Sequence, residues 1–240
     1  MIFQKKRFLL TVAAMFTTGA MLIGCTGDEP SKPIIPIDPI DPTEGVSLLI
    51  PEFGEAWTVL EGGKNVSGGD GFIDNKTFVG NEYIMWEARY DAQPDWTEPR
   101  WNHAAVAFWF EPGLLTSNSK FRITYESDQT LQLDLGMKQV FAILPASGGA
   151  NKPKTVTLDL SKIGGNWETE AQMYGETDVM GGNHFRGSMT SWGGTPNPTI
   201  DLSTVGSIDF NTAARSGTAM TNWVKITTIK LIDGNWGDDE

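Results

Sequence analysis

Cysteine is almost absent from this 240-residue chain. Cys25 is the only one, so no intrachain disulfide can form and the packed core must hold the fold. Histidine is nearly as scarce, at His103 and His184, far apart in sequence, so a His-based triad or metal site would rest on one of them alone. No Gly-x-Ser-x-Gly elbow, His-Glu-x-x-His pair or Walker-type phosphate loop occurs. Bases are outnumbered, with 18 Lys and Arg against 30 Asp and Glu. Three of those bases, Lys5, Lys6 and Arg7, fall in the first 25 residues, which hold no acid; the remainder carries 15 bases against 30 acids. Such a surface repels nucleic acid and anionic headgroups and favours neutral or cationic partners, or bound cations. Beyond the N-terminus there is no apolar stretch long enough to cross a bilayer as a helix.

The N-terminus is the exception to that polarity. Lys5-Lys6-Arg7, then an apolar run from Phe8 to Ile23, make a secretory signal. Its last residues, Leu22-Ile23-Gly24-Cys25, resemble the lipobox of bacterial lipoproteins. That resemblance implies that Cys25 takes lipid on its thiol and becomes the new N-terminus. The expectation is an exported protein, lipid-anchored to the cell envelope at the outer membrane or cell surface. Residues 26–44 follow, with Pro30, Pro33, Pro36, Pro39 and Pro42 at every third position, the period of polyproline II. At ~3.1 Å per residue this segment is a stiff spacer of roughly 60 Å. Asp28 and Glu29, close behind the lipid site, resemble the acidic surface-export signal of some bacterial lipoproteins. The expected organisation is a signal over 1–25, a spacer over 26–44 and one folded domain over 45–240.

From Gly45 onward the pattern is one of short strands. The chain has 27 glycines, with pairs at Gly62-Gly63, Gly68-Gly69, Gly148-Gly149, Gly164-Gly165, Gly181-Gly182 and Gly193-Gly194. The segments between them are rich in Val, Ile, Thr and aromatics, the composition of strands closed by tight turns. Strands are expected at 47–50, 57–60, 83–90, 104–110, 120–126, 130–135, 154–159, 207–210 and 223–232. No sustained 3.6-residue period exists for a long helix. The fold class is all-β, a two-sheet antiparallel sandwich or jelly roll. Alternation places Phe121, Ile123 and Tyr125 on one face of their strand, and Leu131, Leu133 and Leu135 inward with Gln132 and Asp134 outward. Along 104–110, Ala104, Val106, Phe108 and Phe110 share one face. His103, Ala105, Ala107 and Trp109 share the other, a small-residue floor flanked by His and Trp where a ligand could lie close to the sheet, unless Trp109 merely plugs it.

Nine tryptophans are about three times ordinary usage. Indole offers a large flat apolar face at low conformational cost, suited to stacking on the C–H face of a pyranose. Trp57, Trp86 and Trp223 lie in apolar strands and read as core. Trp96, Trp101, Trp167 and Trp192 lie in polar, Gly- or Pro-rich surroundings, where loop aromatics serve either as ligand platforms or as anchors. Catalytic carboxylates for glycoside hydrolysis need only be close in space; Glu168 and Glu170, beside Trp167, are the candidates from local sequence.

Trp101-Asn102-His103-Ala104-Ala105-Val106-Ala107-Phe108-Trp109-Phe110, then Lys120 to Asp128, Thr130 to Gly136, Ala142 to Ala146, Lys154 to Leu160, Val205 to Phe210 and Ile226 to Asp233, resemble in order the non-catalytic β-glucan- and cellulose-binding jelly rolls of the galactose-binding-like superfamily. The resemblance implies a polysaccharide-binding cleft across a concave sheet. Trp101, His103 and Tyr125 would approach the cleft, Gln132 would lie on its floor, and Trp167 and Trp192 would stand at its rim. It also implies a structural calcium joining the first and last strands through Glu52 and Asp233, with Asp70 a further oxygen ligand available in Gly68-Gly69-Asp70-Gly71. Alternation and resemblance disagree over Tyr125 and Gln132; a bulge at 126–129 would reconcile them. Three functions follow: polysaccharide binding without turnover, a glycan-active hydrolase or lyase on the same fold, or a structural or protein-binding surface lipoprotein.

Overall fold

A computed structural model describes residues 45–49, 57–61, 71–90, 102–136, 140–169, 185–196, 198–214 and 219–235. All of them lie in one compact unit spanning Pro39–Glu240. The expected signal peptide, Cys25 and the proline-rich spacer lie outside the described residues.

Twelve strands are described: β1 (Val46–Ser47), β2 (Trp57–Glu61), β3 (Gly71–Val79), β4 (Tyr83–Tyr90), β5 (Asn102–Trp109), β6 (Lys120–Ser127), β7 (Leu131–Leu135), β8 (Val140–Leu144), β9 (Lys154–Asp159), β10 (Arg186–Gly187), β11 (Ser207–Ala214) and β12 (Met220–Ile232). They form two six-stranded sheets. The first runs β3-β4-β12-β6-β9, with β1 also paired to β12; the second runs β10-β8-β7-β11-β5-β2. Every strand pairing is antiparallel. The chain crosses repeatedly between the sheets, and its last two strands insert centrally, β11 between β5 and β7 and β12 between β4 and β6. This is the expected two-sheet jelly-roll sandwich.

One core fills the space between the sheets. From the second sheet come Trp57, Ala104, Val106, Phe108, Leu131, Leu133, Leu135, Ile208 and Phe210. From the first come Ile84, Trp86, Phe121, Ile123, Tyr125, Val224 and Ile226. Phe210 lies between the two buried tryptophans, with ring centroids 6.0 Å from Trp57 and 6.4 Å from Trp86. Those two are core, as expected. Trp223 is not: it alternates with buried Asn222 and Val224 and stands half-buried on the outer face of the first sheet.

The register settles the disagreement over Tyr125. No bulge occurs in β6; the irregularity of that pairing falls on β12, between Ile226 and Thr228. Tyr125 therefore keeps the inward parity of Phe121 and Ile123, and Gln132 keeps its outward one.

Candidate functional site

Each strand of the second sheet gives its core-facing residues to the sandwich and leaves the alternate residues on the outer face. The register aligns those outer residues into rows. In one row, Thr58 lies opposite Ala107, Ala107 opposite Asp209, Asp209 opposite Asp134 and Asp134 opposite Phe141. In the next, Ala105 lies opposite Asn211, Asn211 opposite Gln132 and Gln132 opposite Ile143. The alanine floor is thus continued by two cross-strand polar pairs.

The two flanks of this face differ. On the β8 side, Phe141 and Ile143 pack with Trp167 and Met189 in a small cluster separate from the main core. Trp167 donates its backbone N–H to Gly187 O at 3.0 Å and its indole N–H to Phe141 O at 3.2 Å, and the Arg186 guanidinium lies 5.3 Å from its ring centre. On the β5 side stands Trp109, 40 % exposed and the one large hydrophobic side chain exposed among the described residues. Its indole N–H donates to Thr58 Oγ1 at 2.7 Å. It does not plug the face; it stands proud of it.

Asp209 is the electrostatic centre of the floor. It is buried, its Oδ1 has no hydrogen-bond partner, and Ser207 supplies a side-chain hydrogen bond. Desolvation lifts its carboxyl from 3.8 to about 6 against the smaller lowering effect of Ser207. Its direct cross-strand neighbour is a second carboxylate, Asp134.

Of the residues expected at the site, Gln132 is on the outer face of the second sheet, at 7 % exposure. Tyr125 is a correction: it is wholly buried in the core and its hydroxyl donates to Pro145 O at 2.6 Å, so it cannot meet a ligand on the outer face of the second sheet. Burial pushes its phenol well above the ordinary tyrosine range. Trp167 is a second correction. At 2 % exposure it buttresses the flank by covering Phe141 and Ile143 instead of offering a ring to solvent. His103 holds a position in β5 opposite Ala213, and its side chain is outside the described set. Trp192 ends a short 3-10 turn whose next residue, Gly193, is left-handed at φ 84°; its side chain is likewise not described. A Cβ at the following Gly194 would collide with the backbone oxygen of Ser188, which explains the second glycine of that pair. Trp96, Trp101, Glu52, Asp70 and Glu170 lie outside the described residues, and Glu168 is exposed.

Asp233 is the one expected calcium ligand that is described. Its carbonyl accepts from Ser119 Oγ at 2.7 Å and Thr116 Oγ1 at 3.2 Å, and it lines a polar cavity of about 640 Å³ with Lys120 and Asp159. Among the described residues no three Asp, Glu, His or Cys side chains gather, and the Lys120 ammonium shares the cavity wall. The described residues alone therefore do not make a calcium site.

Missed from sequence were the exposure of Trp109, Asp209 and Asn211 as outer-face groups, and Thr58 as the indole's partner. The alternation of Ser207, Asp209 and Asn211 with Ile208, Phe210 and Thr212 carried the signal for the floor.

No protein-family model and no curated protein matches the sequence. Among solved structures, the chain is similar to the family 11 carbohydrate-binding module of a cellulosomal cellulase of Clostridium thermocellum. The TM-score is 0.40 and the identity 13%, over 82% of this chain and 98% of that one. A structure of a family 11 module from the same organism, in complex with a beta-1,3-1,4-mixed-linked tetrasaccharide, gives a TM-score of 0.38 at 13% identity, over 76% and 92%. An exo-beta-agarase gives 0.37 at 10% identity, over 81% of this chain and 25% of the enzyme. At these scores nothing about ligand or activity passes to this chain.

Proposed function

We propose that the outer face of the second sheet binds a polysaccharide chain without turning it over, on an exported lipoprotein anchored through Cys25. The observation that carries the reading is Trp109: a large exposed indole, held by Thr58, beside a floor of small residues and paired Asn, Gln and Asp side chains. The ring supplies apolar stacking area, and the amides and carboxylates supply acceptors and donors for hydroxyls. With one stacked ring and a few hydroxyl contacts, affinities of roughly micromolar to millimolar are expected. Affinity electrophoresis of the protein in gels containing mixed-linkage β-glucan, xyloglucan, xylan or mannan tests it. Retardation by one polymer with no release of reducing sugar supports the reading; migration unaffected by all four goes against it. Labelling with a radioactive fatty acid, lost in Cys25→Ser, tests the anchor.

A second reading is favoured by one observation, the Asp134–Asp209 pair. The two carboxyl groups sit on directly facing residues of neighbouring antiparallel strands, and glycoside hydrolases work with a pair of carboxyl groups flanking the scissile bond. Release of reducing ends, abolished in Asp209→Asn, would favour hydrolysis over binding.

A further inference from the structure

Trp109 ends β5, where its ring could turn about two side-chain bonds. One contact fixes it. The indole N–H donates to Thr58 Oγ1 at 2.7 Å. Thr58 sits on the edge strand β2 and pairs in register with Ala107, not with Trp109. The bond is therefore a diagonal between strands, and it sets the direction of the ring relative to the alanine floor. Threonine suits the task, since its branched side chain restricts χ1 and its hydroxyl accepts as well as donates.

We infer that Thr58 is the positioning residue of the glycan platform, and that the subsite it creates is read through the indole face alone. This inference rests on the glycan-binding reading above. Tryptophan has a single polar atom, the indole N–H, and here it is committed to Thr58. Trp109 thus gives a bound sugar no hydrogen bond. It takes a pyranose by its flat C–H face, and hydroxyl recognition falls to Asn211 and Asp134, the half-buried members of the two cross-strand pairs. A ring already held also has less side-chain freedom to lose on binding, which raises affinity without any new contact.

The test uses three variants of the protein: Thr58→Val, which keeps the branched shape but has no acceptor; Thr58→Ser, which keeps the acceptor; and Trp109→Ala. Two readouts are taken, one without ligand. In ¹⁵N-labelled protein, the indole N–H resonance missing from Trp109→Ala is that of Trp109. It should shift in Thr58→Val, with faster exchange with water, and return towards its place in Thr58→Ser. In the polymer gels, Thr58→Val should weaken binding about threefold to tenfold, and Thr58→Ser should restore it. An unmoved indole resonance in Thr58→Val overturns the inference without reference to any ligand. So does full retardation of Thr58→Val beside none for Trp109→Ala. If Trp109→Ala is itself retarded like the wild type, the glycan-binding face is what fails.

Discussion

Asp209 on β11 lies directly opposite Asp134 on β7, on the face turned away from the core. Burial gives Asp209 a carboxyl that titrates near 6 in place of 3.8. Between those values the folded chain keeps a proton that the unfolded chain has lost. The contribution to stability is thus full below pH 3.8 and fades as pH rises through about 6. Asp209→Asn removes the dependence. It should melt higher than the wild type at pH 7, and the difference should shrink towards pH 4. Thermal melts across that range check it, and a variant that loses stability equally at every pH would contradict it.

Tyr90 on the first sheet reaches Thr212 on the second, its hydroxyl hydrogen-bonded to Thr212 Oγ1 at 2.6 Å and to Thr212 O. Thr212 Oγ1 in turn donates to Ala104 O at 3.1 Å. The chain of bonds ties the sheets together at a fully buried point. Tyr90→Phe leaves the Thr212 carbonyl without this donor and should cost about 1–2 kcal/mol in urea unfolding. An unchanged midpoint would show that the bond contributes nothing.

Tyr125→Phe separates core from cleft. Removing the hydroxyl that Pro145 O accepts should lower stability by about 1 kcal/mol and leave polymer retardation unchanged. Loss of retardation at unchanged stability would return Tyr125 to the binding site.

The strands with clean alternation were legible, and 83–90 and 154–159 match β4 and β9 to the residue. Two were not. β8, Val-Phe-Ala-Ile-Leu, is apolar at every position because the main core covers one of its faces and the Trp167 cluster the other, so no period of two survives. In β3 a register shift between Asp74 and Thr77, with Asn75 at φ 48°, breaks the pattern. Trp223 could have been placed from parity, since it alternates with Val224 and Ile226. The candidate site was legible only in part: the alanine floor with Trp109 at its edge could be read along one strand, and Gln132 along another. That Asp209 meets Asp134, that Trp109 meets Thr58, and that Trp167 folds over β8 are consequences of strand order, which no local pattern carries.

Two half-exposed or exposed tryptophans on opposite faces allow the most direct test. Trp109 stands on the outer face of the second sheet and Trp223 on that of the first. Retardation of Trp109→Ala and Trp223→Ala should be compared with the wild type in the same polymer gels, with thermal melts confirming that both are folded. Loss of retardation in Trp109→Ala alone is the predicted result. Retardation that survives in Trp109→Ala but is lost in Trp223→Ala would contradict the account and move the binding face to the other sheet.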